Sequence, residues 1–438
     1  MNEARHDAVP LGSHGQNPGE TAPGEIAVGV IIGRTSEFFD FFVYAIASVL
    51  VFPQYVFPYR DAVSATLLSF LIFALAFIAR PFGTALFNAV DRRYGRSLRL
   101  AIALFLLGCS TVAIAFLPSY QDIGSASAWL LCIFRIGQGL ALGGTWDGLA
   151  SLLAMNVPRQ RAGWYAMIPQ LGAPLGLVVA SALFAYFLGN LSAADFMDWG
   201  WRYPFFVAFA INVVALFARL RIVASPAYAE QFENLELRPS PMLKTLRAQG
   251  GSILLGAFAP LASFALFHTV TVFPLSWIFL YTQQPPARFL FIETIGAVFG
   301  VASIVVSGIL ADRYGRRTLL GITAAAIAAY SGFAPQLLNG GDTGEAIFMI
   351  AGFILLGLSF GQSSGSLASN FPNEYRYTGS ALTSDLSWLF GAGFAPWIAL
   401  ALANHFGLIS SGAYLLSGAL CTLVVLGLNR QMQQKENA

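Results

Sequence analysis

The sequence predicts an all-α membrane protein whose twelve transmembrane helices form two pseudo-symmetric bundles of six. Of the 438 residues, 56% are hydrophobic and 11% are charged, whereas a typical globular domain carries about 25% charged residues. Apolar blocks of about 20 residues, the length that crosses a bilayer core, recur along the whole chain. One four-residue loop motif appears twice, about half a chain length apart, which indicates an internal duplication.

The apolar blocks define the predicted spans and domains. The first six spans form an N-terminal bundle over residues 25–221, and the last six form a C-terminal bundle over residues 250–428. A polar cytoplasmic linker is predicted at 222–249. We expect a disordered cytoplasmic tail at 1–24 and a short cytoplasmic tail at 429–438. The twelve spans are predicted at residues 25–52, 63–89, 99–117, 126–154, 163–189, 202–221, 250–278, 288–311, 318–338, 344–369, 379–403 and 408–428.

The positive charges indicate which side of the membrane each loop faces. With twelve spans both termini lie on one side, and only Arg60, Arg202 and Arg288 fall on the other side. The positive-inside rule makes the arginine-rich side cytoplasmic, so we expect a multi-pass inner-membrane protein with both termini in the cytoplasm. The positive residues of that side are Arg5, Arg92, Arg93, Arg96, Arg99, Arg159, Arg161, Arg219, Arg221, Arg238, Lys244, Arg247, Arg313, Arg316, Arg317, Arg376, Arg430 and Lys435.

The repeated loop is Arg93-Tyr94-Gly95-Arg96 after span two and Arg313-Tyr314-Gly315-Arg316 after span eight. Repeated halves are typical of transporters, in which they flank a solute site near the bilayer midplane and rock against one another. The repeat therefore predicts transport by alternating access.

The loop after span eight also resembles the signature of the major facilitator superfamily, Gly-x-x-x-Asp-Arg-x-Gly-Arg-Arg. Further motifs resemble its metabolite:proton symporter branch, which includes carriers of shikimate, 2-oxoglutarate, citrate and proline or betaine. The resemblance covers nearly all of the chain and implies the major facilitator fold, a small-molecule substrate and proton coupling, without specifying the substrate. The matching residues are Gly308, Asp312, Arg313, Gly315, Arg316 and Arg317 in the loop, and elsewhere Glu37-Phe38-Phe39-Asp40-Phe41, Arg80-Pro81-Phe82-Gly83, Arg135-Ile136-Gly137-Gln138-Gly139, Gly143-Gly144-Thr145-Trp146, Pro169-Gln170-Leu171-Gly172, Trp199-Gly200-Trp201-Arg202 and Tyr375-Arg376-Tyr377-Thr378-Gly379.

Three places depart from the family pattern. In the loop after span two, Asp91 stands where the family has Gly and Arg92 where it has Asp. Neighbouring side chains on a helix point about 100° apart, so we expect Asp91 not to replace the family contact. Span four has Thr145 in place of a usual Glu and Asp147 in place of a Gly, and Arg34 replaces a small or apolar residue of span one. The gating candidates are Asp91, Arg92, Arg93, Gly95, Arg96, Asp312, Arg313, Gly315, Arg316 and Arg317.

Span one carries three charged residues inside the apolar length, at Arg34, Glu37 and Asp40. They share one helical face with Tyr44, and we expect this face to point at the central cavity. An ionisable group inside a bilayer is costly unless it is paired or hydrated, so such groups often serve function. Glu37 or Asp40 is a candidate proton carrier, because burial favours the neutral form of a carboxyl group. The alternative is a static Arg34–Glu37 pair.

Span four contributes Arg135, with Gln138 three residues later. A guanidinium offers a planar fork to a carboxylate, so Arg135 is a candidate substrate clamp. The alternative is an interhelical tether from Arg135 to Asp40 or Glu37. At the end of span two, we interpret Arg80 as a structural residue that pairs with the loop after that span.

Several isolated polar and aromatic residues complete the candidate site. Asp147 and His268 are further proton-coupling candidates, although a single buried histidine is more often a packing residue. Glu293 is another lone polar residue, and Asp385 looks like the most isolated carboxyl of the second half. The further candidates for substrate contact are Arg34, Tyr44, Arg135, Gln138, Trp146, Gln170, Trp277, Asp385 and Trp388.

The sequence indicates a carrier rather than an enzyme. It has no Gly-x-x-x-x-Gly-Lys-Ser/Thr phosphate loop, and Cys109, Cys132 and Cys421 lie singly in apolar spans without metal-ligand spacing. We expect no cofactor, no metal and no nucleic-acid partner; the partners are a small-molecule substrate, protons and the lipid bilayer, and a monomer is the default. The predicted function is proton-coupled symport (uptake) of a small polar metabolite, and the sequence favours an organic acid. A proton-coupled exporter and a transporter-like solute sensor are the alternatives.

Overall fold

The computed structural model describes residues 23–145, 159–223, 238–363 and 371–428. Within these ranges every regular element is a helix, as the sequence predicts. Two predicted site residues, Trp146 and Asp147, lie outside the described residues. So do most of the predicted N-terminal tail, part of the predicted linker and the whole predicted C-terminal tail.

Twelve helices of the described chain correspond to the predicted spans and are numbered in chain order. Ten of them are long and apolar enough to cross a membrane. The other two are α1, which carries four charged residues, and α9, which has 16 residues and is followed by a short helix at Ala334–Leu338. The helices are α1 Pro23–Leu50, α2 Ala62–Tyr94, α3 Arg96–Ala115, α4 Ala126–Gly144, α5 Ala162–Asn190, α6 Tyr203–Val223, α7 Leu261–Tyr281, α8 Pro286–Tyr314, α9 Arg316–Ser331, α10 Gly341–Phe360, α11 Asn373–Phe406 and α12 Ser411–Leu428.

Two spans are interrupted in ways that their hydropathy does not reveal. A separate helix at Met242–Phe258 precedes α7 and begins within the predicted linker; its backbone is non-helical at Gln249. Helix α11 becomes π-helical over Trp388–Gly393 before it continues as an α-helix. Such π-helical turns are rare and occur frequently at functional sites.

The repeated loop owes its shape to glycine. Gly95 and Gly315 adopt φ of 87° and 83°, a conformation that side-chain-bearing residues rarely take. Each glycine ends one helix and begins the next, so α2 turns into α3 and α8 turns into α9 in the same way. The two loops thus share backbone geometry as well as sequence. We call the side of the molecule that carries them the basic side, and the other side the opposite side.

Close helix contact explains the glycines of α4. A side chain at Gly139 would overlap the backbone of Ala76 in α2, and one at Gly143 would overlap the backbone of Gly83. Small residues let helix backbones approach each other in a membrane. Helices α2 and α4 therefore form one tightly packed pair within the first bundle.

Within the described residues, three helix pairs make the main contacts between the bundles. Helix α5 packs on α8, α2 packs on α11, and α1 packs on the outer part of α7. A continuous apolar core that includes Phe38, Phe42, Phe267 and Phe360 fills the space between the bundles. The charged residues of α1 and α2 lie at the edge of this core.

Candidate functional site

Glu37 is held by two guanidinium groups. Arg34 Nη1 lies 2.7 Å from Glu37 Oε2, and Arg219 Nη1 lies 2.6 Å from Glu37 Oε1. Arg219 comes from α6 and passes over Gly33, where a side chain would collide with it. The sequence analysis counted Arg219 only as a positive residue of the basic side; its side chain turns inward, is 3% exposed and contributes to the network of Glu37.

Asp40 has a different environment although it lies one turn from Glu37. The Thr111 hydroxyl donates to Asp40 Oδ1 at 2.6 Å. Among the described residues no arginine, lysine or histidine lies within ion-pair distance of this carboxyl group. Gln138 Nε2 in turn donates to the Thr111 oxygen at 2.9 Å, so α1, α3 and α4 are linked by side chains.

Arg135 lies among aromatic rings. Its guanidinium carbon lies 3.9 Å from the ring centre of Tyr44 and 4.9 Å from that of Phe73. It donates to the Phe73 carbonyl at 3.2 Å and to Gln138 Oε1 at 3.0 Å. In the described structure Arg135 therefore reaches Asp40 only through Gln138 and Thr111, and the predicted direct tether is not formed.

His268 also lies in an aromatic environment. Its ring centre lies 5.2 Å from that of Phe41, 5.3 Å from that of Phe73 and 5.0 Å from that of Phe267. Nδ1 is 3.4 Å from the Thr271 hydroxyl. No carboxylate of the described chain contacts the ring, which matches a packing role more closely than a proton relay.

A cross-bundle ion pair joins α2 to α11. Arg80 Nε lies 2.7 Å from Asp385 Oδ1, and the Thr84 hydroxyl donates to Asp385 Oδ2 at 2.5 Å. Two interpretations from the sequence are thereby corrected. Asp385 is not isolated, and Arg80 pairs with the other bundle rather than with the loop after its own span. The sequence could not reveal either contact, because Thr84 and Asp385 are 301 positions apart.

A small cavity lies beside these ion pairs, between the bundles. Its volume is about 30 Å³, which holds about two water molecules and no metabolite, so the site is collapsed in this conformation. Of the residues predicted to form the site, Arg34, Glu37 and Trp388 line it. The complete lining is Arg34, Glu37, Phe38, Phe41, Ala76, Phe77, Arg80, Leu142 and Trp388.

Several predicted site residues are not part of this lining. Tyr44 packs on Arg135, and Gln170 is buried in a 3-10 turn within α5. Trp277 stacks on Tyr281 with ring centres 4.2 Å apart, near the opposite-side end of α7. The structure thus brings Arg34 and Glu37 of α1 together with Arg80 of α2 and Trp388 of α11. It leaves Arg135, Gln138 and Asp40 as a separate network inside the first bundle.

The loop after α8 contacts the other bundle directly. Asp312 accepts hydrogen bonds from the backbone N–H groups of Gly163 at 2.6 Å and Trp164 at 3.2 Å, at the start of α5. A helix N-terminus is a favourable place for an anion. Arg316 donates to Gln362, which donates to the Gly163 carbonyl at 3.1 Å. Arg317 donates to the carbonyl of Leu426 at 2.7 Å, within the second bundle.

The loop after α2 uses different residues for the equivalent task. Asp91 pairs with Arg99 at 3.2 Å and with Arg96 at 3.8 Å, both in its own bundle. Arg99 then hydrogen-bonds to the hydroxyl of Tyr377 in α11. Arg92 reaches the carbonyl of Ser240 at 3.4 Å, while Arg93 and Arg313 stack on the tyrosines that follow them.

Arg99 and Tyr377 were not among the predicted gating residues. The sequence analysis uses Arg99 only as a positive residue of the basic side, and the structure shows it 1% exposed. The available signal was its position one helical turn after Arg96, which places both on the face that Asp91 can reach. This chain has Asp91 and Arg92 where the family has Gly and Asp, and here the two bundles are joined through Arg99 and Tyr377.

The comparison with known families agrees with this architecture. The sequence model of the Major Facilitator Superfamily matches residues 32–396. This chain belongs to the Major Facilitator Superfamily. Its relatives include an inner membrane metabolite transport protein, YhjE, of Escherichia coli K12, which is 36% identical over 94% of this chain and 95% of its own length. The shikimate transporter of the same organism is 28% identical over 93% of this chain and 94% of its own length.

A solved structure shows the same superfamily fold. The crystal structure of a D-xylose-proton symporter superposes with a TM-score of 0.71 and 19% identity, over 94% of this chain and 98% of that one. The superfamily membership and the metabolite transporters among its relatives make this chain a multi-pass membrane transporter. The predicted fold class and the predicted resemblance to metabolite carriers are confirmed.

Proposed function

We propose that this superfamily member carries a small organic anion together with a proton, by alternating access. The observation that carries the proposal is the central cavity, whose wall contains two guanidinium groups, Arg34 and Arg80. Each of them is already paired with a side-chain carboxylate, Glu37 and Asp385 respectively. A site that holds carboxylates of its own has the chemistry to hold the carboxylate of a solute.

Binding of the anion would involve competition for these guanidinium groups. A solute carboxylate that takes one of them displaces Glu37 or Asp385 from it, because a guanidinium group offers the same charge-assisted donors to either carboxylate. Displacement of Asp385 would also weaken the link between α2 and α11, because Arg80 and Asp385 belong to different bundles. Occupancy would thereby favour separation of the bundles on the basic side, which is what release there requires. The rings of Phe38, Phe77 and Trp388 would cover the apolar part of the solute.

Of the two carboxyl groups in α1, Asp40 is the better candidate for the proton carrier. Glu37 contacts two guanidinium groups, which suit its ionised form. Asp40 is 3% exposed and receives one hydroxyl hydrogen bond from Thr111. An ionised carboxylate in such a place is costly, so the neutral form is favoured while the bundle is packed. Arg135, joined to it through two side chains, would sense the change of charge.

The proton makes uptake of an anion feasible. One charge that crosses ~100 mV changes in free energy by ~2.3 kcal/mol, which opposes entry of an anion into a cell with a negative interior. A monoanion that enters with one proton moves no net charge and is driven by the pH gradient. Two protons would add the membrane potential as a driving force.

The relatives support a carboxylate as the recognised group. Shikimate, named for one relative, is a carboxylic acid, and so are the other solutes of the branch that the sequence resembles. Proline and betaine carry a positive charge as well, so a zwitterion is the main competing solute class. We also propose that the basic side faces the cytoplasm, with both termini there, and that the working unit is a monomer.

Transport by purified protein in proteoliposomes tests these points. We expect accumulation of a radiolabelled carboxylate when the lumen is alkaline, and none without a pH gradient. Asp40→Asn should abolish this accumulation and retain counterflow exchange, because exchange needs no net proton movement. Asp61→Asn is the matched control, since Asp61 only caps the exposed start of α2, where it accepts from Ser64 N at 2.9 Å.

Three results would contradict the proposal. Accumulation of proline or betaine with no transport of simple carboxylates would exclude an organic anion as the solute. Normal pH-driven accumulation by Asp40→Asn would move the proton site to another residue. Binding without counterflow of any solute would favour a sensor over a carrier.

A further inference from the structure

Helices α5 and α8 run antiparallel and form one of the seams between the bundles. Near the basic side, Gly308 packs on Met167, and Asp312 reaches the start of α5. Most of the contact is made by small or apolar residues, which suits two surfaces that must separate during transport. Two helical turns beyond Gly300, toward the opposite side, the seam contains a carboxyl group, that of Glu293.

Glu293 is fully buried in this seam. Its exposed fraction is 0%, and the hydroxyl of Ser181 in α5 donates to its Oε2 at 3.0 Å. No other donor of the described chain reaches Oε1. No ion pair includes Glu293 in the ranges that the structure describes. The carboxyl group therefore bridges the two bundles with one neutral hydrogen bond.

The charged and titratable groups on the surrounding helices have partners elsewhere. Helices α5, α7, α9 and α10 pack against α8. In the described chain none of their ionisable groups lies within ion-pair or hydrogen-bond distance of Glu293. These groups are Tyr165, near the basic-side end, and Tyr186, exposed, on α5; His268 in its aromatic environment and Tyr281, bonded to Asn404, on α7; Arg316, bonded to Gln362, Arg317, bonded to the Leu426 carbonyl, and Tyr330, bonded to the Phe348 carbonyl, on α9; and Asp342, paired with Arg288, and Glu345, bonded to Gln284, on α10. The charges of α1 form the networks of Glu37 and Asp40.

We propose that Glu293 is a second proton-binding site, which must hold a proton for α5 and α8 to close on the opposite side of the membrane. An ionised carboxylate buried with one hydroxyl donor is strongly disfavoured, whereas a carboxylic acid is tolerated. When the seam opens toward the opposite side, water reaches Glu293 and stabilises the ionised form. Proton uptake from that side would therefore permit closure, and an unprotonated Glu293 would keep the seam open.

The other end of the same helix pair shows the contrasting arrangement. Asp312 accepts two backbone N–H groups at the N-terminal end of α5, an arrangement that suits a carboxylate. Closure on the basic side thus needs no added proton at this seam, while closure on the opposite side does. This asymmetry would fix the order of two steps in the transport cycle: Glu293 binds a proton first, and the opposite side closes afterwards. The inference rests on the alternating access of the proposed function and adds a second site to the proton carrier Asp40.

Spin-label distance measurements on the full chain in nanodiscs test the proposal without any solute. In a background where the three native cysteines are replaced by serine, one label pair at Gly189 and Ala287 reports the opposite-side ends of α5 and α8. A second pair at Arg161 and Tyr314 reports their basic-side ends. As the pH of the sample is raised from about 5 to about 9, we expect the open-to-closed ratio of the opposite-side pair to rise, by no more than roughly tenfold per pH unit for one proton.

Three variants decide the outcome. Glu293→Gln, which mimics the neutral acid, should remain closed at the opposite-side pair across this pH range. Ser181→Ala keeps the carboxyl group and should keep the pH dependence. Asp312→Asn, the matched change at the other end of the seam, should alter only the basic-side pair.

Two results would overturn the inference. The first is a wild-type distance distribution that does not change with pH. The second is a pH dependence that persists in Glu293→Gln, which would assign it to another group. A failure of pH-driven solute accumulation in liposomes, with this pH-dependent closure intact, would instead contradict the proposed function and leave the Glu293 site standing.

Discussion

Replacement of Asp385 by asparagine tests how the bundles are held together on the basic side. Asparagine has the same shape and still accepts the hydrogen bond from Thr84, which measures 2.5 Å with the native residue. It removes the negative charge that lies 2.7 Å from Arg80 Nε. Because the pair joins α2 to α11, the variant should weaken the state in which these helices are closed and leave the interior of each bundle unchanged.

The size of the effect follows from the burial of the pair. Removal of one partner from a fully buried ion pair costs about 3–5 kcal/mol. The Arg80 side chain is 11% exposed and lines the cavity, so water can hydrate it. The smaller value for a charge-assisted hydrogen bond, about 1.5–3 kcal/mol, therefore applies. Because about 1.4 kcal/mol corresponds to a factor of ten, the closed-to-open ratio should fall roughly 10- to 100-fold.

The closed-to-open ratio can be measured from the distance between two spin labels, one at Tyr94, where α2 ends, and one at Asn373, where α11 begins. The control is a double-mutant cycle with Arg80→Gln. If the pair acts as one link, the double variant should shift the ratio no further than Asp385→Asn does alone. A double variant that shifts the ratio by the sum of the two single shifts would refute the reasoning, and so would an unchanged distance distribution in Asp385→Asn.

Three further changes test the packing and the gate. Arg135→Lys keeps the charge but loses the donation to the Phe73 carbonyl, so thermal unfolding in detergent should show a loss of about 1–3 kcal/mol; an unchanged melting temperature would contradict this. Gly139→Leu should destabilise the protein by about 1–3 kcal/mol or more through overpacking, whereas Gly189→Leu, whose added side chain meets open space, should have little effect on the same unfolding curve. Asp312→Asn should favour opening of the basic side by about 0.3–2 kcal/mol, because a charge is lost from a helix N-terminus; the basic-side label pair would show no change if the contact were incidental.

The fold could be predicted because a bilayer imposes strong rules on sequence. Apolar length locates nearly every helix, and the repeated Tyr-Gly of each loop marks the same turn in both halves. The interruptions could not be predicted in this way. Nothing in the hydropathy of the sequence around Gln249 or Trp388 distinguishes a kinked or π-helical backbone from a regular helix.

The site was predicted where its contacts are local and missed where they cross the molecule. Arg34 and Glu37 are three residues apart on one helix, so helical periodicity was sufficient to predict that they can pair. Arg219 joins it only because α6 packs on α1 at Gly33, and that packing cannot be deduced from one sequence. Asp385 looked isolated for the same reason, since its partner Arg80 belongs to the other half of the chain.

The π-helical turn of α11 gives this helix a mechanical property that a regular α-helix lacks. Its hydrogen-bond ladder changes register between Trp388 and Gly393, so this stretch should bend more easily than the turns on either side. The inner segment, which carries Asp385, can then stay docked on α2 while the outer segment tilts. A bend at this joint would let the two ends of α11 move separately, so the contacts on the basic side could hold while the opposite side opens.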